Sequence, residues 1–180
     1  GAFCEVSFAR TERKVGTGYR GFEITFAPNV TIEQDLFRRD TTINAMAIEL
    51  LSGKLVDPFS GRDDVLNKKI RAVSEHFVDD PVRALRAARQ AAQFGFEICA
   101  DTIEAMRLCG FELAREPTER IFDELETALK TDKPSIFFRS LERAGLLEIT
   151  FPEIAQLRGK IQPAFYHPEG DAYEHTLQIV

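Results

Sequence analysis

"DDPVRALRAARQAAQFG", residues 79–95, decides what kind of protein this is. It opens with Asp79 and Asp80, an aspartate cap candidate, followed by a proline suited to a first helical turn, and it stops at Gly95. At about 100° per residue, Arg83, Arg86 and Arg89 fall within an arc of about 120°. Ala84, Ala87, Ala88 and Ala91 cluster on the other side, where small side chains let a neighbouring helix approach closely. The stretch therefore predicts a helix with a thin packing face and a guanidinium face. Two readings of the second face stay open. It is either a solvated surface or an anion site, in which phosphate or carboxylate relieves the repulsion between arginines. Leu85, beside the stripe, favours a partly shielded site.

Toward the C-terminus the helical pattern continues. "DTIEAMRLCGFELA", "PTERIFDELETALKT" and "PSIFFRSLERAGLL" each read as helices, the last ended by Gly145. "FPEIAQL" reads as a short helical turn and "DAYEHTLQIV" as the start of another helix. Toward the N-terminus, before about residue 75, short runs alternate with a period of two. "CEVSFAR" puts Cys4, Val6 and Phe8 on one face of a strand, and "FEITFAP" repeats the pattern. "ERKVGTGYRG" between them reads as a mobile basic loop. "LFRRDTTINAMAIEL", residues 36–50, sets Arg38, Arg39 and Asp40 against a run that begins to alternate like a strand. "NAMAIELLSGKLVDP" reads as a hairpin about Ser52-Gly53. The expected class is α+β: a partial sheet followed by a helical bundle.

Bulk composition narrows the function. The chain has 180 residues, 44% of them apolar and 29% charged, which suits a globular protein with a sizeable core. Its net charge of −6 means that any polyanion must be met by a local basic patch. Cys4, Cys99 and Cys109 stand at unrelated spacings, which predicts no disulfide framework and fits a reducing cytosol, with Cys99 and Cys109 as small core residues. No run approaches the ~18 apolar residues of a membrane span, and the opening residues do not read as a signal peptide. A cytoplasmic location with no membrane partner is expected.

The chemistry-bearing residues each carry two readings. Asp80 and Arg83, one turn apart, offer the acceptor and planar donor that the edge of a base requires, but an aspartate before proline is also a plain helix cap. Arg38-Arg39-Asp40 is either a charged turn or a surface facing a polyanion, and Asn44 could be only a strand-edge residue. His167 and His175 lack a metal-ligand spacing.

Taken in order, these segments resemble one family: the bacterial class II tRNA nucleotidyltransferases, or CCA-adding enzymes, with their relatives the bacterial poly(A) polymerases. "FARTERKVGTGYRGFEITFAPNVTIEQDLFRRDTTINAMA" resembles the segment that closes the family's catalytic head, and "RRDTTINAMA" matches its RRDxTINAMA signature. "VDPFSGRDDVLNKKIRAV" resembles the neck connector. "DDPVRALRAARQAAQFGFEI" resembles the nucleotide-selecting helix, usually EDxxR-xx-R-xx-R, and "PTERIFDELETAL" the element after it. "YHPEGDAYEHT" resembles the opening of the metal-dependent HD domain that some members carry.

The resemblance implies a division into the end of a nucleotidyltransferase head (1–74), a helical neck and body (75–160) and the start of an HD-like domain (161–180). It implies that Arg39 contacts the incoming nucleotide, with Asp40 and Asn44 holding that corner. Asp80 and Arg83 would template the base of CTP or ATP, with Arg86 and Arg89 on the nucleotide. Asp79 stands where the family usually has Glu. Glu5 would lie close to the metal site, and His175 would be the first HD-domain ligand. The implied reaction is Mg²⁺-dependent transfer from CTP and ATP to the 3′ end of tRNA. The expected Asp-x-Asp metal pair does not occur before residue 40, so an internal fragment that does not catalyse alone is expected. An A-adding or poly(A) polymerase is the nearest alternative. A non-catalytic RNA-binding module and an HD phosphohydrolase are the others.

Overall fold

Phe22–Phe26 needs a partner for its backbone hydrogen bonds, and it takes the polar run just before it. The computed structural model describes residues 6–16, 18, 21–163, 165 and 170–180. Strand β1 (Arg10–Lys14) pairs antiparallel with β2 (Phe22–Phe26), Arg10 opposite Phe26 and Lys14 opposite Phe22. The sequence had suggested a strand over Cys4–Arg10 and a loop from Glu12, but the strand begins where that loop was expected. Val6 and Phe8 are exposed. The short connection explains the shift. The N–H groups of Val15 and Gly16 both reach the Gly21 carbonyl, at 2.8 and 3.1 Å, closing a small loop at little entropic cost. In this register Arg13 faces Glu23 across the ladder at 2.8 Å.

Residues 36–50 also differ from a simple strand. Helix α1 (Ile32–Phe37) starts at a reciprocal Thr31–Gln34 capping box and runs up to the arginine pair. Thr42–Asn44 then form a 3-10 turn, and only Ala47–Ile48 (β3) is extended, paired with β4 (Leu55–Val56). The cause is the pair of threonine hydroxyls. Both are buried, Thr41 bonded to Gln90 at 2.7 Å and Thr42 to Asp64 at 2.5 Å, so neither side chain can alternate to solvent. Helix α2 (Gly61–Leu66) packs beneath this corner. Strand β5 (Lys69–Ile70) pairs in parallel with β6 (Glu97–Ile98), across the helix that lies between them in sequence. Among the described residues the strands form three separate two-stranded ladders rather than one sheet. With 50% helix and 13% strand the class is α+β.

A 3-10 turn (Glu75–Asp79) leads into α3 (Val82–Phe94). Asp80 accepts from the Val82 N–H at 3.2 Å, and Gly95 ends the helix in the left-handed region at φ 65°. There follow α4 (Ala100–Leu108), α5 (Gly110–Leu113), α6 (Thr118–Leu129), α7 (Ser135–Ala144), α8 (Leu147–Thr150), α9 (Pro152–Ala155) and α10 (Ala172–Ile179). Helix α3 is the axis of the body, packed mainly on α7 and α6. Its five alanines are buried in one core with Phe137, Leu141 and Ala144, as close helix approach requires. The arginine face is not simply solvated, since Arg83 in the first turn is buried, as is Gln90 further along the helix. Cys109 lies in the same core, and burial pushes its thiol up to about 12, so it packs as a small apolar residue. Cys99 is only half-buried.

Helix α10 docks on α7. Tyr173 donates to Glu142 at 3.0 Å, Arg139 pairs with Glu174 at 2.6 Å, and Leu177 joins the main core. No described helix is long and apolar enough to cross a membrane.

Gly61 tests how tightly the corner is built. A Cβ there would lie 2.2 Å from the Thr42 carbonyl oxygen and 2.9 Å from Met46 Cγ. Gly61→Ala should therefore lower the unfolding free energy by about 3 kcal/mol, seen as a lower urea midpoint with an unchanged slope.

Candidate functional site

Three pieces of chain converge on one cleft of about 430 Å³. Strand β1 contributes Arg10 and Glu12. The end of α1 and the turn after it contribute Arg38, Arg39, Asp40 and Asn44. The start of α3 contributes Asp80, Arg83 and Arg86. Five guanidinium groups against three carboxylates make this a cation-rich cavity in a chain of net charge −6.

Arg83 is the buried arginine of the cleft, 7% exposed. Its two terminal nitrogens donate to the carbonyls of His76 at 2.6 Å and Arg38 at 2.7 Å. A guanidinium has five N–H donors, so the remaining ones stay available to the cleft. Asp80, one turn earlier, accepts from Arg120 of α6 through both oxygens, at 3.0 and 2.8 Å. Arg120 is itself held by the buried Glu116 at 2.6 Å. Burial would lower the Arg120 pKa, but the Asp80 and Glu116 carboxylates raise it instead. The Asp80–Arg83 pair thus presents an oriented acceptor and an oriented planar donor side by side.

Asp40 and Asn44 form the opposite corner. One Asp40 oxygen accepts from the Thr41 N–H at 2.7 Å and the Asn44 amide at 3.2 Å, and the other accepts from Gln90 at 3.3 Å. Arg38 is tied to Asp35 and Glu12 at 2.8 and 2.9 Å, whereas the more exposed Arg39 has a single 3.3 Å contact with Asp35. Arg39 is therefore the looser cation at the mouth.

The arginine stripe splits. Arg86 lines the cleft, but Arg89 does not. About 120° of helical rotation separates Arg89 from Arg83, and it turns toward α6, where Glu124 accepts from the Nε of Arg86 at 2.9 Å and of Arg89 at 2.7 Å. Asp79 also lies outside the cleft. It pairs with His76 at 2.8 Å beside a second cavity, of about 440 Å³, walled by Phe22, Phe37 and Phe59. Glu5 lies outside the described residues. His175 is half-buried on α10, away from the cleft lining. Among the described residues no group of three or more His, Cys, Asp or Glu side chains could hold a metal ion.

Arg10 and Glu12 were not anticipated, and Arg38 entered only as part of the Arg38-Arg39-Asp40 run that could face a polyanion. Arg10 and Glu12 share one face of β1, a signal visible only once the strand is placed over Arg10–Lys14. Arg38 is chemically indistinguishable from its neighbour in the sequence, and only its partners tell the two apart.

Two counter-ions should be measurable. Glu124→Gln leaves two arginines without their shared carboxylate and should lower stability by about 2 kcal/mol in urea unfolding. For Asp35, burial would raise the pKa, but the Arg38 guanidinium, the Arg10 N–H and Arg39 together hold it below its ordinary 3.8. That contribution is complete above the unfolded value and disappears as the pH falls through the folded one. Asp35→Asn should thus be less stable than the parent at neutral pH, with the gap in thermal midpoint narrowing below about pH 4.

Comparison with known proteins gives a consistent picture. Residues 3–71 match the family model described as "Poly A polymerase head domain", and residues 95–157 match "Probable RNA and SrmB- binding site of polymerase A". The Multifunctional CCA protein of Haemophilus ducreyi is 51% identical over 96% of this chain, and that of Nitrosococcus oceani 49% over 98%. The chain spans 43% and 44% of those two proteins. A solved CCA-adding enzyme without ligand superposes with a TM-score of 0.71 at 33% identity, covering 82% of this chain and 35% of that one. A tRNA nucleotidyltransferase solved with a primer tRNA and an incoming ATP analogue gives 0.64 at 31%, covering 72% and 42%. With both family models in register along most of its length and relatives near half identity, the chain belongs to the family of CCA-adding enzymes and bacterial poly(A) polymerases.

Proposed function

We propose that the protein carrying this chain adds nucleotides from CTP and ATP to the 3′ end of tRNA, in the cytoplasm, and that the cleft receives the incoming nucleotide. The observation that carries the reading is the convergence of Arg39, Asp40, Asn44, Asp80, Arg83 and Arg86 on one cavity. Cytosine and adenine each present an amino donor next to a ring acceptor. Asp80 would accept from the amine and Arg83 would donate to the ring nitrogen, both held by bonds that do not involve the nucleotide. Guanine and uracil place a carbonyl where Asp80 needs a donor, setting two acceptors against each other. Arg39 and Arg86 are the exposed cations for the triphosphate, with Arg89 acting on it only through Glu124.

Residues 1–74 then serve as the closing part of the head, 75–160 as the neck and body that meet RNA, and 161–180 as the opening of an HD-like domain in which His175 would be a ligand. Two Mg²⁺ ions belong to the reaction by family likeness, but the described residues gather no ligand set for them. What these residues supply is base selection and charge. A poly(A)-type activity is the second reading, favoured by the description of the head-domain match.

The direct test incubates the full-length protein with tRNA lacking its terminal nucleotides, supplying CTP and ATP separately and together. Addition of C residues followed by A is expected, whereas use of ATP alone on an acceptor lacking both C residues would select the poly(A) reading. Arg86→Ala should weaken CTP and ATP binding by ~1–3 kcal/mol in calorimetric titration, the range for charged hydrogen bonds. Arg83→Lys keeps the charge but loses the fork, so discrimination against UTP and GTP should fall more than affinity for CTP.

A further inference from the structure

Gln90 is an uncharged amide fully enclosed in the body, 2% exposed, on a helix whose other buried side chains are mostly alanines. Burying such a group without partners costs several kcal/mol, so its bonds matter. Both ends are used. Its carbonyl accepts from the Thr41 hydroxyl at 2.7 Å, and its amide donates to Asp40 at 3.3 Å. It stands seven residues after Arg83, which at about 100° per residue returns it to almost the same helix face. Arg83 and Gln90 therefore form one line along α3. The first reaches the Arg38 carbonyl and the second reaches Asp40 and Thr41, two consecutive anchors on the segment that forms the far wall of the cleft.

We propose that Gln90 is a positioning residue for nucleotide binding, acting through Asp40. The inference rests on the nucleotide reading of the cleft. One Asp40 oxygen is fixed by the Thr41 N–H and by Asn44, while the other has Gln90 as its donor. That amide sets the plane of the carboxylate. Without it, Asp40 is drawn toward the guanidinium groups that share the cavity, Arg39 and Arg86 among them, and occupies the cations meant for the triphosphate. Held in place, Asp40 can accept from a ribose hydroxyl or an amine of the bound nucleotide, and the arginines remain open to phosphate.

The experiment uses the full-length protein and CTP and ATP as probes. In Gln90→Leu the dissociation constants for both should rise about tenfold, the size of one charge-assisted hydrogen bond. The KM for each nucleotide should follow while kcat stays within about twofold. In an Asp40→Asn background the same change should cost less than about twofold, because a residue acting through Asp40 has nothing left to act on. A purely structural role predicts equal losses in both backgrounds, or a lower thermal midpoint with affinity intact, and either result overturns the proposal. If Gln90→Leu does not fold, Gln90→Met keeps the length of the side chain while removing the donor, and the same loss of affinity is required of it. Failure of the parent protein to bind CTP or ATP would overturn the nucleotide reading itself. Normal binding by a folded Gln90→Leu overturns only the role of Gln90.

Discussion

A buried guanidinium holding two backbone carbonyls is the constraint on which the cleft depends. Arg83 leaves the first turn of α3 and bonds to the His76 carbonyl in the 3-10 turn before it and to the Arg38 carbonyl at the end of α1. The 3-10 turn runs straight into α3, but the end of α1 is distant from both in sequence, and the Arg83 bond to the Arg38 carbonyl helps fix it against them. An arginine at 7% exposure is costly to bury, and carbonyl dipoles compensate it without neutralising it. A carboxylate partner would have cancelled the charge. Carbonyl partners leave it, and that is the difference between a structural ion pair and a cation that can still serve a ligand.

The other arginines around the cleft follow the opposite rule, each with a carboxylate. Asp35 serves Arg38 and Arg39, Glu124 serves Arg86 and Arg89, and Asp80 and Glu116 serve Arg120. Shared counter-ions keep the cluster from repelling itself apart in the absence of ligand. They also rank the cations. Arg39, with one long contact and substantial exposure, is the easiest to recruit, while Arg89, enclosed between Glu124 and Gln93, is the hardest. An acidic chain can in this way hold a local cation-rich cavity without the global charge of a nucleic-acid-coating protein.

How much of this was legible depended on whether the signal was local. Helix α3, its aspartate and proline start and its Gly95 stop could be read because caps and 3.6-residue periodicity involve only near neighbours. The hairpin around Ser52-Gly53 was legible for the same reason. The strand at Arg10–Lys14 was not, because Val6 and Phe8 carry the stronger alternation and the choice of partner was made by loop closure. The 3-10 turn at Thr42 was hidden too. A threonine in an alternating run favours a strand unless its hydroxyl is claimed by a distant group, here Asp64. At the site, the arginine stripe predicted a common target for three residues. Position on a helix fixes direction but not the neighbouring helix, and Glu124 on α6 took the third away.

The same geometry explains why α3 can be both the axis of the core and a wall of the cleft. A helix that packed on all sides with alanine alone would leave its polar start unanchored, and one with a full charged face could not sit between α6 and α7. The sequence resolves this by rotation. Arg83 and Gln90 share one line and bind backbone or neutral groups together with Asp40, so they can be enclosed. Arg86 and Arg89, turned progressively away, reach a carboxylate at the edge of α6. The alanines fill the remaining arc against Phe137 and Leu141. A shift of this helix by one residue would carry Arg83 about 100° from the Arg38 carbonyl and place a guanidinium in the core that Val82 and Ala84 now fill. Core packing and the geometry of the cleft are therefore set by the same register.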